Sequence, residues 1–129
     1  MNLLLDTHAL LWVLAESPRL GPATRQLLAN PLNDVLVSAV SAWEIAIKAT
    51  LGKLSVPPDI ANWLPAQLAN NRMTPLPITV AHAAGLERLP MHHNDPFDRL
   101  LIAQARVENL AVVTADQRFR QYEVRVIGC

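Results

Sequence analysis

At 129 residues the chain has the length of one domain, and a domain of that size buries roughly two-thirds of its unfolded surface, enough for a real core. With 51% hydrophobic and 17% charged residues it lacks the polar bias that leaves segments disordered, so the whole of 1–129 is expected to fold as a single domain. Eleven basic and eleven acidic residues cancel, which argues against a passive nucleic-acid binder but not against a nuclease, where bound divalent cations supply the attraction for phosphate.

Asn2 to Leu5 is a short apolar run ending at Asp6 and predicts a strand. Thr7 to Glu16 predicts a helix stopped by Ser17-Pro18. Its apolar stretch, Ala9 to Ala15, is far short of the ~20 residues that cross a bilayer, and Asp6 and His8 before it break a signal-peptide pattern, so a cytoplasmic location is expected. The same helix is apolar nearly all round, which calls for complete burial or a covering partner, a second copy or a regulatory chain. Pro22 to Asn30 predicts a helix ended by Pro31, Val35 to Val37 a strand, and Ser41 to Leu51 a helix closed by Gly52 at C′.

After the loop Lys53 to Pro58, a helix over Asp59 to Ala69 follows. Pro75 to Ile78 reads as an edge strand because of its two prolines. Thr79 to Arg88 is helical up to Pro90, and Pro96 to Glu108 carries Asp95 as cap and Pro96 at the first helical position. Ala111 to Val113 is a third apolar strand, Asp116 to Gln121 a short helical turn, and Val124 to Ile127, interrupted by Arg125, a second edge strand. Trp12, Trp43 and Trp63 on apolar helix faces are expected in the core. The lone cysteine, Cys129, offers neither a disulfide nor a zinc site.

The inner strands lack period-two alternation, as strands covered on both faces do, and they alternate with helices. Right-handed crossovers then give an α/β fold with a central, mostly parallel sheet and helices on both faces. In such a sheet the ligand site lies beyond the carboxyl ends of the strands. Asp6 ends the first strand and Asp116 follows the third. Glu44 lies in the first turns of the helix after Val37, and Asp95 and Asp98 open the helix that feeds Ala111 to Val113. Separate segments thus deliver carboxylates to one edge.

Each has an ordinary alternative. Asp6, Asp95 and Asp116 suit N-caps, worth about 1 kcal/mol each. Asp98 favours the dipole of its helix. Glu44 completes a capping-box pattern with Ser41 or pairs with Lys48 four residues on. The coincidence outweighs these, because crowded carboxylates repel unless cations sit among them or their pKa values rise. Hard Mg²⁺ or Mn²⁺ suits an oxygen-only set of ligands. Histidine offers a competing His/Asp zinc site around His92 and His93, but adjacent loop histidines are usually solvated or bonded to backbone, and no zinc ligand spacing accompanies them.

The stretches NLLLDTHALLW, VSAVSAWEIAIKATLGKL, LPMHHNDPFDRLLIAQA and VVTAD, in this order and spacing, resemble a PIN domain, specifically the VapC-type ribonuclease toxins of toxin–antitoxin pairs. The resemblance spans nearly the whole chain. It implies an α/β/α sandwich and an acidic site for Mg²⁺ or Mn²⁺ in which Asp6, Glu44, Asp98 and Asp116 match the family's four acids. It also implies supporting roles for Thr114, Thr7 and Ser38 at the rim and for Asp95 as cap or outer-shell residue. The partners it implies are an RNA substrate, an inhibiting antitoxin and a second copy in a homodimer.

The reaction expected from such a site is metal-assisted hydrolysis of an RNA phosphodiester. Arg99 and Lys48, with Arg118 and Arg120 behind them, are the candidate phosphate contacts. Three other readings compete: a PIN nuclease of RNA processing without an antitoxin, a receiver-like metal-binding interaction module, and an aspartate-nucleophile phosphatase. The receiver needs a lysine near the last strand, where only Arg125 stands. The phosphatase wants a second aspartate two residues after Asp6, where His8 stands.

Overall fold

The computed structural model describes residues 1–129. Five parallel strands form one sheet in the order β3-β2-β1-β4-β5, with β1 Asn2–Leu5, β2 Asp34–Ser38, β3 Met73–Leu76, β4 Ala111–Thr114 and β5 Arg125–Gly128. The helices are α1 Thr7–Leu14, α2 Pro22–Ala29, α3 Ala39–Thr50, α4 Ile60–Asn70, α5 Val80–Ala84 and α6 Pro96–Glu108; 3₁₀ turns cover Gly85–Arg88 and Gln117–Gln121. None is long and apolar enough to cross a membrane.

Successive side chains of a strand point to opposite faces, and the central strand shows why its sequence is uniformly apolar. Leu3 and Leu5 enter a cluster with Val35, Val37, Val113 and the α1, α3 and α4 residues Leu10, Ile45 and Leu64. Leu4 enters the opposite cluster with Val112, Phe119 and the α6 residues Leu101 and Ile102. All three leucines are fully buried, and the result is an α/β/α sandwich. The proline-bearing and Arg125-bearing strands lie at the two edges, as their sequences require.

Several boundaries differ from expectation for identifiable reasons. Strand β3 begins two residues earlier than Pro75, because buried Met73 pairs with Val35 and packs into the core, while Ile78 lies beyond the strand and exposed. Helix α3 starts at Ala39, since the Ser38 hydroxyl caps it by accepting the Val40 N–H at 2.9 Å. The anticipated Ser41–Glu44 capping box therefore does not form. The helix over 79–88 tightens into a 3₁₀ turn after Ala84, closing on Leu86 just ahead of Pro90. Asp59 does precede α4, but at φ +62° and without a capping bond; its carboxylate accepts from the Asn62 amide instead.

Two apolar expectations also change. Trp43 is not core: it is 52% exposed and meets Phe97 edge-on, with ring centroids 5.0 Å apart. Helix α1 is only partly covered, and its Leu11, Trp12 and Leu14 line a groove of about 650 Å³ opposite Leu54, Val56 and Trp63.

Candidate active site at the carboxyl edge of the sheet

Every parallel strand ends at the same edge, so the residue after each strand faces a shared crevice. Asp6 follows β1 and caps α1, its Oδ1 accepting the Ala9 N–H at 2.8 Å. Its Oδ2 accepts the hydroxyl of Thr114, the last residue of β4, and Thr114 Oγ1 in turn accepts the Asp116 N–H at 3.0 Å. One threonine thus ties the acids after two neighbouring strands. Burial raises the Asp6 pKa, against the opposing effect of the Thr114 and Ala9 donors.

Glu44 sits in the second turn of α3, turned toward α1 rather than toward its own cap. It is buried, and its Oε1 accepts the Thr7 hydroxyl at 2.7 Å, while Oε2 takes the Lys48 ammonium. Thr7 also contacts Ser41 Oγ at 3.0 Å, so the residue following Asp6 orients the α3 acid. The Lys48 pKa is raised by that hydrogen bond, and the side chain remains 37% exposed at the rim. Ser38 is buried, and besides capping α3 it donates to Gln104 of α6, holding the two helices in register.

Asp95 caps α6 with Oδ1 accepting the N–H groups of Phe97 and Asp98, at 2.8 and 3.1 Å. Asp98, one turn in, faces Asp116 across the ring of His93. The His93 Nε2 lies 2.9 Å from Asp98 Oδ2 and 3.1 Å from Asp116 Oδ2, and these ligating atoms all fall within 4.8 Å of one another. Asp6 and Glu44 stand outside that tight trio but near enough for their charges to act on Asp98. The Asp98 pKa is pushed up to about 8, first by burial and then by the charges of Asp95, Asp6, Glu44 and Asp116. Asp116 goes the other way, to about 2, chiefly because Arg118 hydrogen-bonds its carboxylate.

Asp6, Asp95 and Asp116 each cap a helix or turn, and Asp116 in addition shares the tight group with Asp98 and His93. Arg99, weighed for phosphate contact, is engaged elsewhere: it donates to the carbonyls of Leu89, Pro90 and His93 and fixes the loop before α6. Replacing Arg99 by Met is expected to cost about 1–3 kcal/mol through carbonyls left unpaired, measurable by urea denaturation. Unchanged stability would show the loop to be self-supporting. His93 is the residue that sequence alone did not place here, since nothing in HHNDPFD distinguishes the buried histidine, 3% exposed, from the exposed His92.

Residues 3–124 match the family model of the PIN domain. The chain belongs to the PIN-domain family. Among its PIN-domain relatives, "Ribonuclease VapC22" of Mycobacterium tuberculosis is 34% identical over 122 residues, covering 94% of this chain and 92% of the relative. Among solved structures, VapBC2 from Rickettsia felis, bound to a DNA fragment from its promoter, superposes with a TM-score of 0.75 at 17% identity, covering 99% and 98% of the two chains. VapBC-5 from Mycobacterium tuberculosis, a member of the VapBC family of toxin–antitoxin systems, gives 0.61 at 22% identity over 99% and 98%. These structural likenesses bear on the fold.

Proposed function

We propose that this PIN domain is a divalent-metal-dependent endoribonuclease acting as the toxin of a toxin–antitoxin pair. The observation that carries the chemistry is the convergence of Asp6, Glu44, Asp98 and Asp116 on one crevice, where burial and the neighbouring carboxylates push the Asp98 pKa up to about 8. Carboxylates crowded at one edge repel one another unless a cation sits among them, and an all-oxygen set of acids suits Mg²⁺ or Mn²⁺. Those four residues would hold the ion, which when bound would supply activation of water and neutralisation of charge on the phosphate.

The rest is positioning by the chain. Thr114 orients Asp6 and the backbone of Asp116, Thr7 orients Glu44, Ser38 anchors the start of α3, and Asp95 fixes the first turn that carries Asp98. Lys48, at the rim, is the proposed phosphate contact. Lys48→Ala is expected to raise KM for RNA about 5- to 10-fold with little change in kcat, as loss of one charged contact does; an unaltered KM would return Lys48 to pairing with Glu44 alone.

RNA as substrate class follows the ribonuclease relative, which covers nearly the whole of both chains. An antitoxin is the proposed occupant of the apolar groove between α1 and Leu54–Gln67. A cytoplasmic homodimer is the proposed working form, for which exposed Trp43, Val80 and Met91 supply apolar surface. The test is incubation of the purified chain with total cellular RNA in Mg²⁺, in Mn²⁺ and in chelator, beside Asp6→Asn. Cutting that needs the metal and the aspartate is expected; cutting that persists in chelator or in the variant would overturn the reading.

A further inference from the structure

His93 stands between two of the acids, and its two ring nitrogens do different things. Nδ1 accepts the Asp95 backbone N–H at 3.1 Å, which leaves the ring hydrogen on Nε2. That nitrogen therefore presents a donor, not a lone pair: it hydrogen-bonds Asp116 Oδ2 at 3.1 Å and lies 2.9 Å from Asp98 Oδ2. The ring is held in this sense from several sides. Its backbone N–H donates to the Tyr122 hydroxyl at 2.8 Å, Tyr122 donates onward to the Pro90 carbonyl at 2.8 Å, Arg99 clamps the loop, and Phe119 meets the ring edge-on. Turning the ring over would forfeit the part-buried Asp95 bond and leave that N–H unpaired.

We propose that His93 is a positioning residue of the acid cluster: a fixed N–H donor that draws one oxygen of Asp98 and one of Asp116 together and leaves their remaining lone pairs for the cation, without itself becoming a ligand. This rests on the metal-dependent reading above. A hard cation prefers the carboxylate oxygens to an imidazole, and Nε2 ligates only after losing the hydrogen that joins the two acids. The role is that of an outer-shell donor, which sets the spacing of ligands and is ordinarily worth 10- to 100-fold in metal affinity.

The test is long-range proton–nitrogen correlation of the histidine rings in the ¹⁵N-labelled chain, first metal-free and then with saturating Mg²⁺. The expected result is a protonated Nε2 and an unprotonated Nδ1 for His93 in both states. A hydrogen on Nδ1, or loss of the Nε2 hydrogen when Mg²⁺ is added, overturns the proposal. If Mg²⁺ shifts no resonance anywhere in the chain, the metal reading fails, and the metal-free spectrum still decides which nitrogen faces the acids. Calorimetric titration with Mg²⁺ adds a second arm. His93→Gln, which can present an amide N–H at the same place, is expected to bind within about threefold of wild type, and His93→Leu about 10- to 100-fold more weakly. Equal affinity of the Leu variant and wild type would overturn the role.

Discussion

Asp98→Asn is expected to lower RNA cleavage by about 10³-fold or more while making the metal-free protein more stable at pH 8. The two effects share one cause. Removing a ligand from a cation that contributes several kcal/mol to the transition state costs about three decades in rate at 1.36 kcal/mol per decade. The stability effect follows from linkage. The ordinary carboxyl value of 3.8 rises to about 8 in the folded chain, so between those values the folded state keeps a proton that the unfolded state has released. Stability is then fully present below about pH 4 and falls as pH rises toward 8, with a slope of at most about 1.4 kcal/mol per pH unit. Asparagine has no proton to lose, and its amide oxygen can still accept from His93. Urea denaturation of the metal-free wild type and variant from pH 5 to 9 is expected to show a steeper fall in the wild type than in the variant, with the variant ahead by on the order of 2 kcal/mol at pH 8. Parallel curves would mean that Asp98 is not held protonated by its neighbours.

Asp6→Asn is expected to abolish cleavage to a similar extent with the fold intact, because asparagine keeps an oxygen for the Ala9 N–H that caps α1. Asp6→Ala separates the two jobs. It loses the charge, the cap and the acceptor of the buried Thr114 hydroxyl, so it should be as inactive as the Asn variant but less stable by about 2–4 kcal/mol. Melting curves beside RNA cleavage distinguish the cases. An Asn variant that cuts at the wild-type rate would confine Asp6 to its structural role, and an Ala variant as stable as wild type would deny it that role.

The sandwich was legible in the sequence because buried parallel strands announce themselves: Leu3, Leu4 and Leu5 are all needed, on both faces, and helix stops such as Ser17-Pro18 and Gly52 act locally. The acids were legible for a related reason, since residues that follow strands or open helices inherit their place from topology. What escaped was what depends on side-chain packing between distant segments. Met73 rather than Pro75 starts β3 because a core pocket awaits it. Glu44 turns toward Thr7 of α1 instead of toward Ser41 of its own helix. Arg99 closes a loop whose carbonyls no sequence pattern points at it. His93 and His92 are neighbours of one residue type, and only the Asp95 N–H and the Tyr122 hydroxyl select which of them enters the cluster.

If the acids at the sheet edge jointly hold one kind of guest, a divalent cation, calorimetric titration of the chain with Mn²⁺ reads its binding. Saturable binding is predicted for the wild type, weakened at least about 100-fold in each of Asp6→Asn, Glu44→Gln, Asp98→Asn and Asp116→Asn. Mn²⁺ affinity that survives all four substitutions, or no saturable binding to the wild type, would contradict that joint hold.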